Sequence, residues 1–286
     1  MIQKLILAGL LMSTMSPAGS DSFTWGSYEG PQGNRRYKLF VPAAPPGERK
    51  LIVMLHGCTQ DPDDFARGTR MNEVAGAKGF LVLYPEQPAT ANPLKCWNWF
   101  AAASQQRGSG EPAILAAMIQ KVVKDQKIDP SKVYLAGISA GGAMTAILGA
   151  TYPELFAALG IHSGIAYGLV TRVSDAIVAM RAPKGDSAAL GKLVVDAMGE
   201  RRKPMPLQII QGRVDPSVNV ENANLLAGQW RVANGGKHVH VQIVDSLAHA
   251  WSGGSKEGTY ADEKGPKASK VFVDFFLHVE MEHSHH

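Results

Sequence analysis

The sequence predicts a single α/β domain: a mostly parallel eight-stranded sheet with an antiparallel N-terminal edge, helices on both faces and a small helical cap. Three observations carry this reading. Two runs that alternate polar and apolar residues come first, joined by a Gly/Pro/Asn turn. Six further short apolar runs then recur along the chain, most of them separated by segments of helical periodicity. One of these runs leads through Gly137-Ile138-Ser139-Ala140-Gly141 straight into a helix of small residues. The 286 residues, 45% hydrophobic and 19% charged, suffice for one sizeable core and have the composition of a folded globular chain.

In chain order, Lys4 precedes an apolar run over 5–12, and Ala18 and Ser20 stand as the −3 and −1 positions of a cleavage site. Residues 1–20 thus read as a secretory signal peptide, with an N-terminal amphipathic helix as the alternative. Cleavage predicts a secreted or periplasmic protein, and retention of the segment a cytoplasmic one. The run is too short to cross a bilayer and no later segment reaches ~18 apolar residues, so no integral membrane segment is expected in the mature chain. Residues 23–28 and 36–41 form the hairpin, with one wet face. Residues 42–46, rich in proline, break the chain. The apolar runs 51–55, ending at His56-Gly57, and 80–84, ending at Pro85, read as parallel strands buried on both faces. Between them 71–78 reads as a short helix stopped by Gly79.

Glu111-Pro112 opens an amphipathic helix in which Ile114, Leu115, Met118, Ile119, Val122 and Val123 recur on one side. Strand 132–136 and helix 142–150 flank Ser139. Further strands are expected at 158–162, 206–210 and 238–244, and a final helix from about 266 to 278. One domain therefore spans 22–280. Its stretch 165–206 is longer than a crossover requires and is read as the cap over the strand ends, where open α/β sheets bind ligands.

The net charge of +4 is spread along the chain, with Arg201-Arg202-Lys203 the densest run and no interleaved aromatics. That reads as a solvated surface and argues against a nucleic-acid partner. Two cysteines exclude a disulfide framework and a Cys-based zinc cluster. A tail with His283, His285 and His286 offers at most adventitious metal binding.

The chemistry centres on Ser139. A strand-to-helix turn this tight leaves no room for side chains two residues either side, hence Gly137 and Gly141. The serine is held strained with its Oγ off the sheet edge, while the amides of the following helix face any oxyanion formed there. A serine hydroxyl needs a base, and the base an acid partner. Asp215, past the run 206–210, and His249, past the run 238–244, follow Ser139 in the required order and at the same sheet edge. Asp175, Asp186 and Asp196 fall in the cap, and Asp245 lies too close to its strand end. His162 follows the wrong strand for a base, and His238 and His240 read as partly buried or edge residues of one strand face. The backbone N–H of Cys58 can point at the nucleophile and, with that of Ala140, make a two-donor oxyanion hole that His56 orients. No metal or cofactor is needed.

Four motifs, His56-Gly57-Cys58-Thr59-Gln60, Cys96-Trp97-Asn98-Trp99-Phe100, Gly137 to Gly142 and His249 to Gly254, resemble the poly(3-hydroxybutyrate) depolymerase family of esterases. These are α/β-hydrolases related to feruloyl and acetylxylan esterases. The resemblance covers about 22–278. It implies Ser139, Asp215 and His249 as the triad, the amides of Cys58 and Ala140 as the oxyanion hole, and Trp97, Trp99 and Trp251, with His56, at the substrate groove. The alternative for the tryptophans is a place in the core. Secreted depolymerases of the family often carry a C-terminal polymer-binding domain. This chain ends with the catalytic domain, so short hydroxyalkanoate oligomers, amorphous polyester or small acyl esters are the expected substrates. Plant polysaccharide esters are the alternative, and a catalytically silent binding protein is the rival from another class. A monomer or weak oligomer is expected. Finally, Cys58 and Cys96 lie in loops leaving neighbouring parallel strands at one sheet edge, and export supplies an oxidising compartment, so a Cys58–Cys96 disulfide is predicted.

Overall fold

The computed structural model describes residues 20–43 and 47–283. The expected signal segment, but for Ser20, and the tail residues His285 and His286 lie outside the described residues. The chain opens with a tight hairpin, β1 (Ser22–Gly30) and β2 (Gly33–Val41), then β3 (Lys50–Leu55). Two short helices, α1 (Pro62–Thr69) and α2 (Met71–Gly76), lead to β4 (Phe80–Pro85). Beyond it come α3 (Gly110–Asp125), β5 (Val133–Ile138), α4 (Ala140–Thr151) and β6 (Ala158–His162). Helices α5 (Val173–Arg181) and α6 (Ser187–Met198) precede β7 (Leu207–Gly212), α7 (Glu221–Ala233) and β8 (Val239–Val244). A two-residue pair, β9 (Trp251–Ser252) and β10 (Ala261–Asp262), and the long α8 (Ala268–His283) close the domain.

The eight long strands form one sheet in the order β1-β2-β4-β3-β5-β6-β7-β8. β1 and β2, and β2 and β4, pair antiparallel, and every pair from β4 to β8 is parallel. This is the α/β-hydrolase arrangement. The parallel strands read as continuous apolar runs because both faces are covered. Period-two alternation sends Leu51, Val53, Leu135 and Ile161 to one core, with α3, α4 and α7. Ile52, Met54, Tyr134 and Ala136 go to the other, against Phe65 of α1, Met71 of α2 and Phe272 and Phe276 of α8.

Four expectations need correction. α1 precedes the expected helix at 71–78: Asp61 accepts the amide of Asp64 and Pro62 fills the first turn, so helix starts at Pro62 and is interrupted at Arg70, which has φ +52°. The final helix runs on to His283. Of the two alternatives for His238 and His240, partial burial is the one corrected and the edge position holds: both are exposed, at the edge strand. Of the stretch 165–206, Ile165 and α5 border the region above the strand ends; α6 packs against α7 and α4 in the outer helical layer.

Candidate active site

Ser139 stands between β5 and α4 with φ +56° and ψ −121°. A Cβ at Gly137 would lie 2.4 Å from the Gly141 carbonyl oxygen, and one at Gly141 would lie 2.0 Å from that of Leu55. No other residue type fits either position without moving the backbone, which is why the strained serine is locked in place. Its own amide donates to the His162 carbonyl at 3.0 Å.

The ends of two more parallel strands supply the partners. His249, in the loop after β8, has Nε2 3.0 Å from Ser139 Oγ and Nδ1 2.8 Å from Asp215 Oδ2. Asp215 lies just past β7, with its carboxylate fully buried and the His249 side chain 13% exposed. The other carboxylate oxygen accepts the amides of Ser217 and Val218, each at 2.8 Å, and Gln211 Nε2 donates to Oδ2 at 3.2 Å. Burial works against ionisation, but the His249 hydrogen bond and charge and the two amides outweigh it and hold the Asp215 carboxyl below its ordinary range. An ionised Asp215 accepts a hydrogen bond from His249 Nδ1–H, which keeps the proton on Nδ1 and leaves Nε2 as acceptor for the serine hydroxyl. The structure thus brings together the three residues singled out at three strand ends.

The Cys58 amide, in the loop after β3, has no hydrogen-bond acceptor among the described residues, and Ala140 is the first residue of α4, where the amides have no intrahelical acceptor. The Cys58 loop is braced on every side. His56 donates from Nδ1 to the Gly57 carbonyl at 2.7 Å and accepts the Gln87 amide on Nε2 at 3.1 Å. Gln60 Oε1 accepts the Gly57 amide at 2.9 Å. Cys58 and Cys96 are joined in a disulfide, with Cα atoms 4.1 Å apart. Burial pushes the His56 pKa down to about 4, so the ring that fixes this loop stays neutral.

The expected groove residues divide. Trp99 lines the apolar groove beside Ser139. Trp97, Trp251 and His56 do not reach it: they are 0%, 1% and 1% exposed. Trp97 donates from its indole to the His56 carbonyl at 3.1 Å. Trp251 is wedged among Phe65, Phe272 and His162, its indole donating to Ser269 Oγ at 3.1 Å. These three hold the site from behind.

Two cavities meet at Ser139. The larger, about 620 Å³, is walled by Leu94, Trp99, Phe100, Ile165, Val173 and Ile177. The smaller, about 160 Å³, is walled by Gln60, Ile138, Ser217, His249 and Tyr260. Sequence reasoning missed Gln60, Met180, Ser217 and Tyr260; only Gln60, four residues on from His56, carried a signal, as the last member of a quoted motif.

A family model described as esterase PHB depolymerase matches residues 35–241. The poly(3-hydroxyalkanoate) depolymerase C of Paucimonas lemoignei is 33% identical over 201 residues, covering 69% of this chain and 48% of that protein. The poly(3-hydroxybutyrate) depolymerase of Ralstonia pickettii is 30% identical over 264 residues, covering 87% and 52%. The chain therefore spans about half the length of these curated relatives. Among solved structures, an acetyl xylan esterase from Aspergillus awamori superposes with a TM-score of 0.66 at 24% identity, over 74% of this chain and 80% of that one, a likeness of fold.

Proposed function

The chain belongs to the esterase PHB depolymerase family, and from that premise we propose that it is a serine esterase acting through Ser139, His249 and Asp215. The observation that carries the reading is the unbroken relay Asp215–His249–Ser139, with contacts of 2.8 and 3.0 Å, beneath a loop amide without an acceptor. Ser139 Oγ attacks the ester carbonyl carbon as its proton passes to His249 Nε2. The carbonyl oxygen, now carrying negative charge, takes hydrogen bonds from the amides of Cys58 and Ala140. Such a donor contributes ~3 kcal/mol to the transition state. The C–O bond to the alcohol then breaks and His249 returns the proton to the departing oxygen. Water, deprotonated by the same imidazole, releases the acid and frees Ser139. Asp215 holds the ring and stabilises its charged form. No step calls for a cofactor.

The substrates proposed are poly(3-hydroxybutyrate) segments, short hydroxyalkanoate oligomers and short-chain acyl esters. The wall of Leu94, Trp99, Phe100, Val173 and Ile177 beside Ser139 supports this, since it offers apolar contact without a charged group to satisfy. A feruloyl or acetylxylan esterase is the second reading, favoured by the half-buried Phe100 of the groove wall as a stacking face. The disulfide supports a secreted or periplasmic location after removal of the N-terminal segment. Among the described residues no helix is long and apolar enough to cross a membrane.

A substrate panel tests the proposal: hydroxybutyrate oligomers, polymer film, nitrophenyl esters, methyl ferulate and acetylated xylan. Turnover of the oligomers above the ferulate and the xylan is expected. The reverse order would install the second reading, and no turnover of any ester would refute both.

A further inference from the structure

The two cavities at Ser139 are unequal in size and in what lines them, and the reaction itself says which half of an ester each receives. An ester carbonyl carbon attacked by Ser139 Oγ has three other substituents to place. The oxygen goes to the amides of Cys58 and Ala140. The alcohol oxygen must lie within reach of His249 Nε2, which hands it the proton as its bond to carbon breaks. The acyl carbon takes the direction that remains. His249 lines the 160 Å³ cavity and not the 620 Å³ groove, whereas Ala140 lines the groove and not the cavity.

Tyr260 lines the small cavity beside His249. This tyrosine has φ +50°, a backbone conformation that a bulky residue adopts only where its surroundings impose it. They do so from both sides. Asp64 accepts the Thr259 amide at 2.9 Å, Gln60 Nε2 donates to the Thr259 carbonyl at 3.0 Å, and the Trp251 amide donates to the Tyr260 carbonyl at 2.7 Å. Tyr260 is 47% exposed, and its ring meets the His249 ring edge-to-face, centroids 6.1 Å apart. A side chain held over the base at such cost to its backbone is placed to meet whatever leaves through the base.

Resting on the esterase reading, we propose that the groove takes the acyl half and the small cavity the alcohol half of the ester. Tyr260 sets the size of alcohol accepted, and the substrates are esters of an extended apolar acid with a compact alcohol. Polysaccharide esters carry their bulk on the alcohol side and fit this arrangement poorly.

Two ester series separate the halves: methyl esters of acetic, butyric and octanoic acid, and butyrates of methanol, butanol and cyclohexanol. In the wild type, kcat/KM should hold or rise along the acid series and fall by about tenfold or more along the alcohol series. Tyr260→Gly, in which glycine accepts the positive φ, should raise the cyclohexyl-to-methyl ratio about tenfold and leave the octanoyl-to-acetyl ratio in place. Tyr260→Asn, also tolerant of that backbone, gives the same readout should glycine loosen the loop. Ile177→Trp, in the groove wall on α5, should do the opposite and lower the octanoyl-to-acetyl ratio alone. Exchanged effects, both ratios moving in either variant, or an unmoved alcohol ratio in the Tyr260 variants would overturn the assignment. Failure of the wild type to hydrolyse any member of either series would instead overturn the esterase reading, and the assignment with it.

Discussion

Acid should unfold this protein through a histidine that catalysis does not use. His162 ends β6 fully buried, Nδ1 3.0 Å from Ser163 Oγ, Nε2 accepting the Ser252 amide at 3.2 Å, and its ring stacked on Trp251 with centroids 5.2 Å apart. A proton on Nε2 would face the Ser252 N–H with nothing to accept it. Burial, aided by nearby His249 and opposed by Asp215, lowers the His162 pKa from 6.5 to about 3. The unfolded chain therefore binds this proton from about pH 6.5 downward while the native state does not. Stability is complete above pH 6.5, falls as pH drops, and stops falling near pH 3. Each pH unit within that window costs up to ~1.4 kcal/mol, so His162 alone accounts for ~2 kcal/mol at pH 5 and ~5 kcal/mol in full. His56, lowered to about 4 chiefly by burial, adds a loss of the same sign. His162→Gln keeps an acceptor for the Ser252 amide and cannot titrate. It should be less stable than the wild type at pH 8, and the gap should close by ~2 kcal/mol by pH 5. Urea denaturation of both proteins from pH 8 to pH 4 measures this. Parallel pH profiles would refute the reasoning, because they would mean that the buried imidazole is protonated as readily in the native state as in the unfolded chain.

Three further outcomes follow from the same geometry. Trp251→Ala should lower stability by ~3–5 kcal/mol in a thermal or urea melt, as a core cavity does, and Trp99→Ala, truncating a side chain that is buried in the core as well as lining the groove, should both lower stability and weaken turnover of long acyl esters. Replacing Cys58 and Cys96 together by serine opens a crosslink of sequence separation 38, worth about 4 kcal/mol in the chain-entropy model. Activity should fall at lower denaturant than helicity does, because the Cys58 amide is in the crosslinked loop, and coincident loss by both probes would contradict that. Asp215→Asn should leave the fold in place and cut kcat by about 10³–10⁴-fold through the wrong His249 tautomer, so a variant within a factor of a few of wild type would remove Asp215 from the relay.

Much of this was legible in the sequence because the parallel strands β3 to β7 are short and buried on both faces, and because residues with chemistry stand within a few positions of the strand ends. Ser139, Asp215 and His249 each stand just past such a run, so the strand ends placed them together before any contact was visible. The two glycines around Ser139 were legible for the same reason: only backbone crowding explains them. The tryptophans were not. Trp251 lies two residues beyond His249, a spacing that would put both on one side of an extended chain, but the Ala250 amide bonds to the Ala248 carbonyl at 3.0 Å and the chain folds between them. A tryptophan serves a groove or a core equally well, and only the direction of the turn decides. Tyr260 lay in a stretch without periodicity, and its clamp by Asp64 comes from 195 residues away along the chain. Helix α1 carries few apolar side chains, so its start signal at Asp61-Pro62 had no strong periodicity behind it.

The central claim is that Ser139 forms the covalent bond, and a fluorophosphonate ester tests it directly. Incubated with the folded protein, the reagent should add one phosphonyl group, located by peptide mass spectrometry on Ser139, with hydrolysis of a short acyl ester lost in proportion. His249→Ala should slow that labelling, and Ser139→Ala should abolish it and lower kcat by about 10³-fold or more while the melting transition persists. A label on another residue, or ester turnover by Ser139→Ala within a factor of ten of wild type, would contradict the account.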